Sequence, residues 1–164
     1  QDMRAILNQG ITMCSSMARL LVEETNQEQE DDLSKNVEGI IIKARPSLSN
    51  VFNKKIKTNR GGAIKYNVVT DSYIANYSSV NSKQTYSINA AKVKIMQLEN
   101  LHLDHATTAP VEMIMAFNKY TTNQKTIGDS IRSIIDDAER REIPIEIVSN
   151  EQQIADYLLS KIAA

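Results

Sequence analysis

The chain has 164 residues, room for one ordinary domain and a modest appendage. Hydrophobic residues make up 41% and aromatics 5%, with no Trp, so a core must be filled by Ile, Leu, Val, Met and Ala. A net charge of −1 argues against a polyanion binder at the level of the whole chain, and the single cysteine, Cys14, excludes an internal disulfide framework.

Residues 3–22 carry Met3, Leu7, Ile11, Cys14, Ala18 and Leu21 at helical spacing, with Ile6, Met13, Met17 and Leu20 widening the stripe. The spacing predicts an amphipathic helix with a broad apolar face, in which Gly10 costs ~1 kcal/mol relative to Ala. The acidic run 23–32 reads as an exposed linker or frayed helix end. It lacks the alternating ligands and central Gly of a Ca²⁺ loop. The Ile40-Ile41-Ile42 run within 37–43 fits a short strand or a buried helix turn, and Pro46 breaks the pattern. Residues 53–62, with Lys54, Lys55, Lys57 and Arg60 ahead of Gly61-Gly62, read as a basic loop. This loop marks the expected boundary between an N-terminal helical segment, 1–60, and a β-rich domain, 61–164.

Beyond residue 63 the segment 64–70 looks extended. Residues 76–84 read as a turn or long hairpin loop, and 85–98 as one or two strands, because Val93 and Ile95 alternate with Lys92 and Lys94. Pro110 to Phe117 is the strongest strand signal. Val111, Met113, Met115 and Phe117 line one face, and Ile114 and Ala116 on the other predict a central position. A helix is expected at about 126–141, with Ile127, Ile131, Ile134, Ile135 and Ala138 inward and Thr126 with Asp129 as a capping pair. Ile143 to Val148 follows as a strand that Pro144 marks as an edge or a start, and Ser149-Asn150-Glu151 reads as a turn. Residues 154–164 fit a helix through Ile154, Leu158 and Ile162, and also fit a strand.

Both histidines sit in His102-Leu103-Asp104-His105. An H-x-x-H pair with Asp104 or Glu99 as third ligand is the shortest route to a Zn²⁺ site and a small metal-dependent hydrolase. A closed site needs a fourth ligand and a catalytic one a positioned base, and the sequence supplies neither. No phosphate-binding glycine loop, dinucleotide fingerprint or nucleophile elbow is present, so no catalytic, cofactor or metal residue is assigned and no enzymatic activity is expected. Cys14 on an apolar face reads as a small buried hydrophobe. Asn76-Tyr77-Ser78 matches a glycosylation pattern by chance. The basic residues 54–60 could contact phosphates, but without an aromatic platform a solvated loop, or a contact to an acidic neighbour such as 23–32, is the expected role. Nucleic acid is therefore not an expected partner. No apolar run reaches the ~18 residues of a membrane span and no signal-peptide pattern is visible, so no membrane partner is expected either.

The order Asp104-His105-Ala106, Pro110 to Phe117, Ile131-Arg132-Ser133-Ile134-Ile135, Ile143 to Ser149 and Asp156 to Ile162, with Val69-Thr70-Asp71 ahead of it, resembles the distal-tail-like baseplate proteins of long-tailed bacteriophages. The resemblance covers about residues 64–164. It implies an α+β fold: a small β-sandwich or split barrel with one packed helix and a final strand, preceded here by the N-terminal helical segment. It further implies a virion structural protein, assembled in the host cytoplasm and joining tail tube to baseplate. Its partners would be copies of itself and neighbouring tail proteins, with ring contacts made through edge strands.

Overall fold

The computed structural model describes residues 31–59, 62–80, 85–117 and 124–162. The chain divides into two compact units, Gln1–Asp32 and Leu33–Ala164. The helix expected over 3–22, Cys14 and residues 23–30 lie outside the described residues.

The second unit is a mixed five-stranded sheet with helices on both faces. Helix α1 covers 31–44, and a 3₁₀ turn, Pro46–Leu48, leads into β1 (Phe52–Thr58). Then come β2 (Gly62–Val69), β3 (Ile74–Val80), α2 (Thr85–Leu103), β4 (Val111–Phe117), α3 (Gln124–Arg140), β5 (Ile145–Val148) and α4 (Glu151–Ile162). The spatial order is β1-β2-β3-β4-β5. The first three strands meander antiparallel, and β3, β4 and β5 run parallel. Parallel neighbours need crossover connections, and α2 and α3 provide them.

Two hydrophobic clusters sandwich the sheet. On one face Ala91, Ile95, Leu98 and Leu101 of α2 and Ile134 and Ala138 of α3 pack on Ile74, Val111, Met113 and Met115. On the other, Leu33, Val37 and Ile41 of α1 and Ile154 and Leu158 of α4 pack on Tyr77, Ile114 and Ala116. A strand covered on both sides must be apolar at nearly every position, which is why β4 reads Val-Glu-Met-Ile-Met-Ala-Phe. Truncating a fully buried member such as Met113 or Ile114 to Ala should cost about 2–5 kcal/mol.

The α+β class holds, and β4, α3 and β5 fall where the sequence put them. Among the described residues the sheet is single and open, with four helices, where a sandwich or split barrel with one packed helix after an N-terminal helical segment was expected. Further readings are corrected. Residues 53–58 of the basic segment lie in strand β1, since each residue from Lys54 to Thr58 pairs with β2. Strand β1 falls within the unit Leu33–Ala164 together with the rest of the sheet. Residues 85–98 form most of α2, whose buried stripe Ala91, Ile95, Leu98 and Leu101 follows helical spacing. Residues 76–80 are the second half of β3, and 154–162 belong to α4.

Helix α4 starts at the N-cap Asn150, with Gln153 reaching back to the residue before it. The Gln153 N–H donates to Asn150 Oδ1 (2.9 Å), and Gln153 Oε1 accepts from the Ser149 N–H (2.7 Å). The expected cap of α3 at Thr126 is displaced, because the helix begins at Gln124.

Candidate functional site

The His102-Asp104-His105 cluster is a helix terminator. His105 has φ 52°, its N–H donates to the His102 carbonyl (3.2 Å), and the Ala106 N–H donates to the Leu101 carbonyl (3.0 Å). These two bonds form the Schellman motif, which closes a helix on a left-handed residue that is usually Gly. The same motif ends α3: Glu142 has φ 59°, and the N–H groups of Glu142 and Ile143 donate to the carbonyls of Glu139 (3.0 Å) and Ala138 (2.9 Å). His102 and His105 are exposed, and Glu99 is engaged by Arg141 at 2.8 Å. Among the described residues no three His, Cys, Asp or Glu side chains are grouped to hold a metal ion.

The sheet opens between β2 and β3. Their ladder is two residue pairs long, Val68↔Ala75 and Val69↔Ile74. Past it, β2 pairs only with β1, and β3 from Asn76 to Val80 pairs only with β4. Backbone groups facing such a gap need partners, because a buried amide left unsatisfied costs about 1–3 kcal/mol.

Three polar side chains supply them in a closed circuit. The Asn67 N–H donates to Asn76 Oδ1 (3.0 Å), and Asn76 Nδ2 donates to the Lys94 carbonyl (3.2 Å). Lys94 Nζ donates to the Tyr77 carbonyl (2.6 Å), and the Tyr77 N–H returns to Asn67 Oδ1 (3.1 Å). Asn76 is 1% exposed, so the glycosylation match is closed to any enzyme. The Tyr77 ring lies toward α1, where its hydroxyl donates to Ser34 Oγ (3.3 Å). Tyr66, next to Asn67, ties β2 to α2 through its hydroxyl and the Gln97 carbonyl (2.8 Å). Burial, reinforced by the Asp104 carboxylate, pushes that hydroxyl up to about 12.

Beyond the fork, β1 and the start of β2 form a two-stranded ribbon. Ile56 faces Ile64 across it, and both pack toward the α2 cluster. Side chains alternate across a strand, so Lys55, Lys57 and Lys65 share the opposite face. Lys55 stands directly opposite Lys65, Lys57 opposite Ala63, and all three lysines are exposed.

The ordinary explanation of lysines here is edge protection, since β1 is the outer strand of the sheet. That accounts for Lys55 and Lys57. Past the fork β2 has a free edge too, so the same argument covers a lysine at position 65, but it does not account for placing that lysine directly opposite Lys55, where the two repel. Like charges directly opposite in a sheet are destabilising.

The ribbon sits inside a larger asymmetry. Residues 39–98 hold ten Lys or Arg and one acid, Asp71, while the other 104 residues hold nine Lys or Arg and nineteen Asp or Glu. The net charge of −1 conceals this division. Sequence reasoning saw Lys54, Lys55, Lys57 and Arg60 but took them for a loop. It missed Lys65, whose position beside Lys55 follows only from strand register. Arg60 lies outside the described residues.

The opposite end of the sheet carries a second polar knot. Tyr73 and Tyr157 donate to the two oxygens of Glu112 (2.6 and 2.7 Å), joining β3, β4 and α4. Burial, then the bonds to Glu112, raise both hydroxyls above the ordinary tyrosine range. With each donor matched to an acceptor, this knot ties elements together and leaves no reactive group. Among the described residues no helix is long and apolar enough to cross a membrane. Compared with family models, with curated proteins and with solved structures, the chain matches none.

Proposed function

We propose that this chain is a nucleic-acid-binding module that grips the phosphate backbone with the lysine face of the β1–β2 ribbon. The observation that carries the reading is the cross-strand pair Lys55↔Lys65. A sheet gains nothing from two ammonium groups facing each other, whereas a polyanion gains from both. The basic character of 39–98 is consistent with it, because a stretch of chain rich in cations favours an anionic partner while the acidic remainder keeps the whole chain near neutrality.

Retention of the purified chain on a mixed-sequence nucleic acid, measured by fluorescence anisotropy over a salt series, tests this. Phosphate contacts release counterions, so affinity should fall steeply with salt. Salt-independent binding, or none at low salt, would reject the proposal.

The expectation of a tail or baseplate subunit makes a different forecast: rings in solution at micromolar concentration, visible by sizing and negative-stain images, without salt-sensitive nucleic-acid binding. That expectation drew its fold from a sandwich or split barrel, and an open sheet with helices on both faces gives it no added support. The metal-dependent hydrolase alternative centred on His102, Asp104 and His105 gains no support, since among the described residues no three His, Cys, Asp or Glu side chains are grouped to hold a metal ion.

A further inference from the structure

Resting on the nucleic-acid reading, we infer that the preferred partner is double-helical DNA, entered through its major groove by the lysine face of the ribbon and held with little sequence selectivity. Three features of the ribbon lead there.

The first is shape. Beyond the fork the hairpin is two strands wide, about 5 Å between strand axes before side chains. The B-DNA major groove, about 12 Å wide, admits a two-stranded ribbon. The major groove of an RNA duplex is deep and narrow, closed to such an insert.

The second is the absence of a stacking surface. Single strands are held largely by bases stacking on exposed aromatic rings. The described aromatics of the ribbon are Phe52, partly buried against the α1 side, and Tyr66, fully buried with its hydroxyl on the Gln97 carbonyl. Neither presents a ring face to a base.

The third is the spacing and chemistry of the cations. Lys55 and Lys57 are two strand positions apart, about 6.7 Å, and Lys65 stands across from Lys55 at about 5 Å. Three ammonium groups thus occupy a patch smaller than the groove mouth, and duplex DNA carries one charge per ~1.7 Å of axis. The cross-strand neighbour of Lys57 is Ala63, and the two asparagines nearest the lysines in these strands are already engaged, Asn53 donating to Glu38 and Asn67 held in the fork circuit. The bidentate side chains that distinguish bases are therefore occupied, while the contacts that recognise phosphate are present.

The test uses the full chain and four labelled probes of one mixed sequence: DNA duplex, RNA duplex, and single strands of each. The expected result is DNA duplex bound at least tenfold tighter than the other three, with little change when its sequence is scrambled. In the triple variant Lys55→Gln, Lys57→Gln, Lys65→Gln the salt dependence should flatten. Three lost phosphate contacts correspond to about a 40-fold smaller drop in affinity over a fourfold rise in salt, at a slope of about −0.9 per contact. Lys161→Gln, on α4, serves as the control for simple charge loss.

Equal or tighter binding of single strands or RNA duplex overturns the choice of DNA duplex and leaves the nucleic-acid reading standing. Failure of all four probes at low salt overturns both. A triple variant that melts like the parent and binds duplex with unchanged salt dependence overturns the ribbon as the site.

Discussion

Replacing Asn76 by Ala should unlock the fork between β2 and β3. The side chain is 1% exposed and makes two bonds, accepting from the Asn67 N–H at 3.0 Å and donating to the Lys94 carbonyl at 3.2 Å. The Lys94 carbonyl lies inside α2 and keeps its intrahelical partner, so it loses only a second bond, worth about 0.5–1.5 kcal/mol. The Asn67 N–H has no ladder partner to fall back on and is left unsatisfied, at about 1–3 kcal/mol. Together these give a loss of about 2–4 kcal/mol, a large share of the ~5–15 kcal/mol by which a domain is stable. Urea denaturation followed by circular dichroism measures it. At a slope near ~2 kcal/mol/M the midpoint should fall by about 1–2 M with the slope unchanged. Asn67→Ala orphans the Tyr77 N–H in the same circuit, so the double variant should deviate from additivity by at least about 0.5 kcal/mol. A midpoint within about 0.2 M of the parent, or strictly additive losses, would refute the claim that the circuit closes the gap in the sheet.

Lys65→Glu turns the repulsive pair with Lys55 into an attractive one, so the chain should become more stable by about 0.2–1 kcal/mol at low salt while losing affinity for DNA. Thermal melts paired with anisotropy check both halves, and a destabilised variant would contradict the register argument. His105→Gly and Glu142→Gly should each stabilise by about 0.5–1 kcal/mol, because both residues hold positive φ at the end of a helix where Gly carries no Cβ penalty. A rise of about 1–4 °C in Tm is the expected reading for each, and a fall would rule out the left-handed caps. Alkaline titration probes the tyrosines. The Tyr66 hydroxyl rises from 10.0 in the unfolded chain to about 12, so its contribution is complete below pH 10 and is lost as pH climbs from there to 12. Tyr73 and Tyr157 shift in the same direction, so tyrosinate absorbance of these three should appear together with unfolding, and their ionisation in a folded chain would contradict their burial.

Elements with an unambiguous period were legible from the residues alone. The two-faced apolar strand β4 and the striped helix α3 were placed within two residues, and Pro144, read as marking an edge or a strand start, directly precedes β5, the last strand in the sheet. Helix α2 was misread because its solvent face is not polar. Val93, Met96 and Leu103 are 39–49% exposed, which blurs the helical stripe and leaves a spurious alternation with Lys92 and Lys94. Those two lysines reach inward, to Ser133 Oγ at 2.6 Å and to the Tyr77 carbonyl, tasks that have no local signature. Strand β1 was misread as a loop because an edge ribbon buries little, and Ile56 is its one hydrophobe beyond Phe52. Capping chemistry was the other missed signal. Asn150 with Gln153 three residues on announces α4, and the resemblance-based strand overrode it.

The short ladder joining β2 to β3 has a bearing on how the molecule breathes. Two rungs, a ring of side-chain bonds and contacts to α2 on one face hold the ribbon, whereas the parallel strands behind it are covered by helices on both faces. Proteins open in cooperative pieces whose free energies follow their local contacts. Amide hydrogens of residues 54–58 and 62–65 should therefore exchange with solvent orders of magnitude faster than those of 111–117. The arm would then swing on its own schedule against a quiet interior and accommodate curvature in whatever it clasps.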